Sequence, residues 1–246
     1  MFKKSDAPLL VELNENLRTL FNELCSVENN QVVFRDESWI DVIDLKIKDL
    51  AHLIMTKIID QYNPSPSVLL TTLREKWIPS IMPDLELSGI KNVIIDIAKV
   101  FIWNAESGLA YGLKIVDISI GSNVLSDDDF KYAAQRADYS KKLAEFSRAF
   151  VEDEDVKDSS WNKHYAAWHL SYASFCADHA YKHLHFSTDS QPVIMEAAFA
   201  AEYAADVASN VADAEKLDVR DQLKDVRDIA GRIGILAIGL GSSTNE

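Results

Sequence analysis

The feature that most constrains the fold is a long stretch without proline. No proline occurs between Pro83 and Pro192, so 108 consecutive residues lack the strongest helix breaker. Glycine is also scarce, because the 246 residues include only eight and the first is Gly89. Sheet sandwiches and barrels need frequent turn residues, and α/β folds usually place glycines after strands. The sequence therefore predicts an all-α fold.

Apolar residues recur at helical spacing and predict about eight helices. The first four are expected over about 8–26, from Ser38 to Tyr62, from after Ser65-Pro66 to just before Pro79, and from Ser88 to about residue 119. The last four are expected over about 126–151, 160–185, 193–214 and 217–238. The only strand considered is Gln31–Phe34, which is too short to found a sheet.

The alanine content changes along the chain. The first 100 residues contain three alanines and the remaining 146 contain 23. Small side chains let helix axes approach closely. We therefore expect an N-terminal Leu- and Ile-rich helical bundle over 1–125, packed on a C-terminal array of long Ala-rich helices over 126–246. The alternative is one continuous domain.

The second half contains an internal repeat, with offsets of 33 and then 31 residues. Each copy is a long helix with an alanine pair, a tyrosine and a second small or apolar pair. The three copies align Ala133-Ala134, Tyr139 and Leu143-Ala144 with Ala166-Ala167, Tyr172 and Cys176-Ala177, and with Ala197-Ala198, Tyr203 and Val207-Ala208. We interpret the alanines as close-packing positions, and each tyrosine as a packed ring whose hydroxyl reaches a partner or water.

Charge and cysteine content exclude several classes of function. The chain has 39 acidic and 25 basic residues, a net charge of −14, and no dense basic cluster, so direct nucleic-acid binding is disfavoured. Two cysteines 151 positions apart, Cys25 and Cys176, match a reducing compartment. The richest apolar stretches, 93–103 and 233–241, are too short or too interrupted to span a bilayer. We expect a cytoplasmic protein without a membrane partner.

A cluster of histidines raises the possibility of a metal site. Cys176, His179 and His183 have the spacing i, i+3, i+7, which places a thiol and two imidazoles on one helix face. Such a set could hold a divalent transition metal such as zinc, with a further ligand from Glu145, Glu196 or Glu202. The alternative is that Cys176 lies in the core and the histidines form a polar edge near the end of the helix.

Catalytic motifs are missing. The sequence has no nucleophile elbow, Walker loop, dinucleotide fingerprint or H-E-x-x-H motif, and no Glu-x-x-His pair of the di-iron bundles. The sequence therefore favours a protein that is not an enzyme and has no cofactor.

Two C-terminal segments suggest a family. The segment MEAAFAAEYAADVASNVADAEKLDVRDQLKDVRDI at 195–229, and more loosely YAAWHLSYASFCADHA at 165–180, resemble the alanine-rich C-terminal helices of immunity proteins from bacterial polymorphic-toxin systems. This resemblance covers less than a third of the chain. It implies a cytoplasmic, non-enzymatic bacterial inhibitor that binds one cognate toxin, and it transfers no site residues.

The leading hypothesis is a helical protein that binds a basic protein partner, most specifically an immunity-type inhibitor of a toxin. An acidic surface accelerates encounter with a cationic partner. Residues 126–246 carry a net charge of −9 (13 basic, 22 acidic) against −5 for 1–125 (12 basic, 17 acidic), so we expect the partner there. The candidate partner-binding residues are Asp127, Asp128, Asp129, Glu152, Asp153, Glu154 and Asp155. The alternatives are a metal-binding protein or metalloenzyme, and a structural or assembly subunit.

Overall fold

The computed structural model describes residues 2–28, 31–34, 42–122, 126–157, 162–186, 191–212 and 220–241. These residues form eight helices, which confirms the all-α fold. In chain order the helices are α1 (Ala7–Leu24), α2 (Leu45–Leu53, continuing through Ile54–Ile59 to Asp60–Tyr62), α3 (Pro66–Thr72, continuing through Leu73–Trp77 to Ile78–Ile81), α4 (Leu87–Ser122), α5 (Asp127–Glu152), α6 (Asn162–Phe186), α7 (Gln191–Ala212) and α8 (Arg220–Gly241).

A short hairpin follows α1. Strand β1 (Cys25–Glu28) pairs antiparallel with β2 (Gln31–Phe34), with Cys25 opposite Phe34. The strand considered at Gln31–Phe34 is therefore present, and α1 ends at Leu24 rather than at about residue 26.

Serine side chains cap two of the helix starts. Ser65 immediately precedes the helix that begins at Pro66. Its hydroxyl accepts a hydrogen bond from the backbone N–H of Val68 at 3.4 Å. The Ser126 hydroxyl accepts the backbone N–H of Asp129 at 3.4 Å, and the Asp129 carboxylate accepts the backbone N–H of Ser126 at 2.9 Å. These bonds satisfy donors that the first turn of a helix leaves open.

Two helix boundaries differ from the expected ones. Helix α2 begins at Leu45, where the Asp44 carboxylate accepts the backbone N–H of Lys46 at 2.7 Å; the expected start at Ser38 lies outside the described residues. The expected end before Pro79 is wrong, because α3 continues to Ile81. Its segment Leu73–Trp77 is π-helical. The wider π-helical turn shifts the backbone hydrogen bonds just before Pro79. The helix therefore continues although the proline has no backbone N–H to donate.

The chain folds into two compact units, each built from separate parts of the sequence. Unit 1 comprises Met1–Arg35, Glu106–Asp138 and Asn162–Glu246, and unit 2 comprises Asp36–Ala105 and Tyr139–Trp161. Neither unit coincides with the expected division into 1–125 and 126–246. The reason is that α1 packs with the C-terminal helices in unit 1.

Unit 1 is built on a closed ring of four helices. Helix α6 packs against α1 and α7, and α8 packs against α7 and α1. Helix α1 contributes a fully buried row of leucines to this core: Leu10, Leu13, Leu17 and Leu20. The middle of α6 is buried on every side, because all eleven residues from Trp168 to Asp178 are buried.

Unit 2 has an aromatic core. The ring centroids of Phe101, Phe146 and Phe150 lie 5.8 to 6.5 Å apart, in the edge-on and tilted arrangements that aromatic pairs prefer. The Ser147 hydroxyl donates to the Ala98 carbonyl at 2.9 Å, so α5 is hydrogen-bonded to α4 within this unit. In the described part of the chain, no helix combines the length and apolar content needed to cross a membrane.

Candidate functional site

The acidic residues expected to bind a partner lie in two settings. Asp127, Asp128 and Asp129 open α5 in unit 1, where a helix N-terminus favours negative charge. Asp129 is committed to the cap with Ser126, and Asp128 is exposed. The side chain of Asp127 lies outside the described residues.

The second acidic segment, Glu152–Asp155, lies in unit 2 and is held from α3. Arg74 donates to the Asp153 carboxylate at 2.6 Å and to the Asp155 carboxylate at 2.9 Å. Glu152 accepts from Arg148 at 2.8 Å, while Glu154 is exposed. Arg74 was not expected from the sequence, because nothing in its spacing points to a segment 79 residues away. This arginine orders the segment and neutralises part of its charge.

The exposed charges differ between the two units. Among the described residues of unit 1, exposed positions hold seven carboxylates and seven basic side chains. Among those of unit 2, they hold five basic side chains and ten carboxylates: Asp44, Asp49, Asp60, Glu75, Asp84, Glu86, Glu145, Glu152, Glu154 and Asp155. The excess of carboxylates at exposed positions is therefore found in unit 2, where six further basic side chains, among them Arg74 and Lys99, are half-buried.

Helices α6 and α7 meet along an antiparallel seam. Three contacts show this direction and fix the register. From one contact to the next, the residue number rises on α6 and falls on α7. His169 Nδ1 lies 3.7 Å from Asp206 Oδ2, and His179 Nδ1 lies 3.2 Å from Glu196 Oε1. Between them the rings of Tyr172 and Tyr203 meet at 4.5 Å in a T-shaped contact. Histidine–carboxylate contacts thus flank the tyrosine pair.

The tyrosines of the repeat have different surroundings. Tyr172 and Tyr203, which are equivalent in the repeat, contact each other in unit 1 and are both buried. Tyr139 belongs to unit 2, where its hydroxyl donates to the Met55 carbonyl at 3.0 Å. For Tyr139, this bond confirms the prediction that the tyrosine hydroxyl reaches a hydrogen-bond partner.

Burial changes the acidity of Tyr172. Loss of solvent, and then the nearby Cys176, Tyr203, Asp138 and Glu196, raises the pKa of this phenol well above its ordinary value of 10.0. The hydroxyl therefore keeps its proton at any pH near neutrality and cannot act as a base there.

The residues of the metal hypothesis lie along α6. Cys176 is fully buried and forms no disulfide, and the rings of His179 and His183 lie 4.6 Å apart. Of the three glutamates considered from the sequence, Glu196 is the one that reaches His179. Within the described ranges, no three or more His, Cys, Asp and Glu side chains are grouped so as to hold a metal ion. The zinc hypothesis stays a prediction.

A buried polar pair joins α1 to α6. The Asn14 amide donates to the Asp178 carboxylate, and both side chains are buried. Ser171, Ser174 and Asp178 have the spacing that places them on one face of α6, and all three are buried. A buried carboxylate needs such hydrogen bonds, so the pair fixes how α1 docks on α6. The sequence hinted at Asp178 only through its place in an alanine- and aromatic-rich run.

Comparison with known proteins gives no relative. No protein-family model matches the chain, and no curated protein or solved structure shows significant similarity to it.

Proposed function

We propose that this chain is a non-enzymatic, acidic helical protein that binds a basic protein partner, acting in the cytoplasm as an immunity-type inhibitor of one cognate bacterial toxin. The observation that carries the proposal is the twofold excess of exposed carboxylates over basic side chains among the described residues of unit 2. Like the net charge of −14, this excess attracts a cationic partner over several ångströms and accelerates encounter.

Within unit 2 the contact is assigned to the segment Glu152–Asp155. Arg74 already shows how a guanidinium fits there, since it binds Asp153 and Asp155 together. Glu154 and Glu145 are exposed and add negative charge to the same unit. Basic side chains of the partner would meet these carboxylates, while Arg74 keeps the segment ordered and reduces the entropy lost on binding.

The experiment first isolates the chain from its native host together with any protein bound to it. A partner-free chain would contradict the proposal, and a basic partner is the result we expect. The affinity of that partner for the purified chain is measured by calorimetry at several salt concentrations, and its effect on cell growth is measured with and without co-expression of this chain. We expect tight binding that weakens as salt rises, and protection of growth. Normal growth without this chain, or an affinity that does not change with salt, would contradict the proposal.

Two charge-reversal variants test which unit binds. Glu145→Lys combined with Glu154→Lys changes unit 2, and Glu15→Lys combined with Glu202→Lys makes the same charge change in unit 1. All four residues are exposed. We expect the first pair to weaken binding more than about tenfold, chiefly through slower association, and the second less than about threefold. Equal losses would remove the assignment to unit 2.

A further inference from the structure

Helix α8 presents an apolar surface next to the start of α1. Ile235 is 74% exposed and Leu236 is 36% exposed. Together with Pro8 and Leu9 they line an open groove of about 430 Å³ between the two helices. Large exposed apolar side chains beside a groove are typical of a contact surface.

Opposite charges border this groove. Asp6 and Glu12 line it from the α1 side, and Arg232 lines it from the α8 side. Asp6 already accepts the backbone N–H of Lys3 at 2.7 Å, so Glu12 is the freer of the two carboxylates. Glu12 and Arg232 are both exposed, and neither forms an ion pair with another described residue. The groove thus has one acidic edge, an apolar floor and one basic edge.

Gly231 leaves room on the same helix. A Cβ atom added to it would meet nothing within 4 Å, so packing within the chain does not require a glycine. Glycine is the poorest helix former after proline, which makes an exposed glycine in mid-helix costly to retain. Its absent side chain allows another backbone to approach α8 beside Arg232 and Ile235.

We propose that this surface, formed by Glu12, Gly231, Arg232, Ile235 and Leu236, binds a second copy of the chain about a twofold axis parallel to the groove. Rotation about such an axis leaves the position of each residue along the groove unchanged. It places α8 of each copy opposite α1 of the other. Arg232 of each copy then meets Glu12 of the other, and the apolar floors cover each other. A patch that carries its own complement is what a twofold contact requires.

The partner is a second copy rather than the basic protein proposed above. This surface carries a basic residue, Arg232, opposite the carboxylates Asp6 and Glu12, so a second copy can pair charges at both edges, whereas a basic partner would leave Arg232 facing like charge. The two inferences use different units, so either can fail without the other.

Sedimentation equilibrium of the full chain over a range of concentrations tests the proposal. We expect a reversible dimer of twice the 27.6 kDa chain mass. Gly231→Leu fills the space that the second copy needs, and Ile235→Asp places a charge in the apolar contact. Because each change occurs twice in a dimer, each should raise the dissociation constant more than about a hundredfold. Val68→Asp, at a residue 59% exposed in unit 2, is the control and should change nothing.

A charge exchange provides a second measurement that does not depend on apolar packing. Arg232→Glu and Glu12→Arg should each weaken the dimer about tenfold or more, and the double variant should recover most of the loss. Arg227→Glu, at another exposed position of α8, should have no effect. Circular dichroism confirms that each variant folds. A single-chain mass at every concentration overturns the proposal, and so does a dimer indifferent to Gly231→Leu or a double variant no better than the single ones.

Discussion

Tyr172 lies where a phenol cannot easily ionise in the folded chain. Its ring stacks on Trp168 at 5.5 Å and meets Tyr203 edge-on, and the side chain is buried. Because burial, and then its neighbours, raise its pKa, the folded chain keeps this proton above pH 10 while the unfolded chain releases it. Raising the pH beyond that point therefore favours the unfolded chain.

This difference predicts how stability depends on pH. Below the unfolded pKa of 10.0, ionisation of Tyr172 does not change the free energy of unfolding. Above pH 10.0, the free energy of unfolding should fall by about 1.4 kcal/mol per pH unit. Tyr172→Phe should remove this contribution, and Tyr62→Phe, at a residue 74% exposed, should not. Urea unfolding from about pH 9 to about pH 11 measures the slopes. A Tyr172→Phe slope as steep as that of the unchanged chain would contradict the prediction.

At the scale of the helix, α7 shows how closely the alanine-rich elements pack. Ala204 is fully buried and its neighbour Ala205 is exposed. Ala204→Leu should lower the free energy of unfolding by about 1 to 3 kcal/mol, because a leucine has no room there, while alanine and leucine differ little in helix propensity. Ala205→Leu should change it by less than about 0.5 kcal/mol. Thermal or urea unfolding gives both values, and equal effects would show that Ala204 is not closely packed.

The helices that sequence patterns predict best are those with local start signals. Ser65-Pro66 and Ser126 with Asp129 mark helix starts because the bonds they make lie within one turn. The continuation of α3 through Pro79 is not predicted, since a π-helical turn has no comparable sequence mark. Local chemistry therefore predicts where helices begin better than where they end.

Contacts between helices are harder to predict. The sequence leaves Glu145, Glu196 and Glu202 open as neighbours of the histidines, and the antiparallel register of α6 and α7 selects Glu196. The pair Asn14 and Asp178 lies 164 residues apart along the chain, and Arg74 and Asp153 lie 79 apart. No periodicity within one helix encodes such contacts, so the candidate site depends on the fold.

At the scale of the whole molecule, unit 1 combines the first helix with the last three. The change in alanine content near residue 126 predicts a separate C-terminal array, but α1 completes the ring of α6, α7 and α8. We therefore expect the isolated fragment 162–246, which holds α6, α7 and α8, to lack cooperative unfolding, because it lacks the buried leucines of α1. Adding a peptide of residues 2–24 should restore helicity measured by circular dichroism. A fragment that unfolds cooperatively by itself would contradict this expectation.

The ring of unit 1 also sets an order on events during synthesis. Helix α1 ends at Leu24 and its partner α8 ends at Gly241, so translation at about 5 to 20 residues per second separates them by about 10 to 40 s. During that time the apolar face of α1 has no α8 to cover it, and transiently exposed apolar surface is where nascent chains aggregate or recruit chaperones. The ribosome must therefore translate to the end of α8 before α1 can reach its final place.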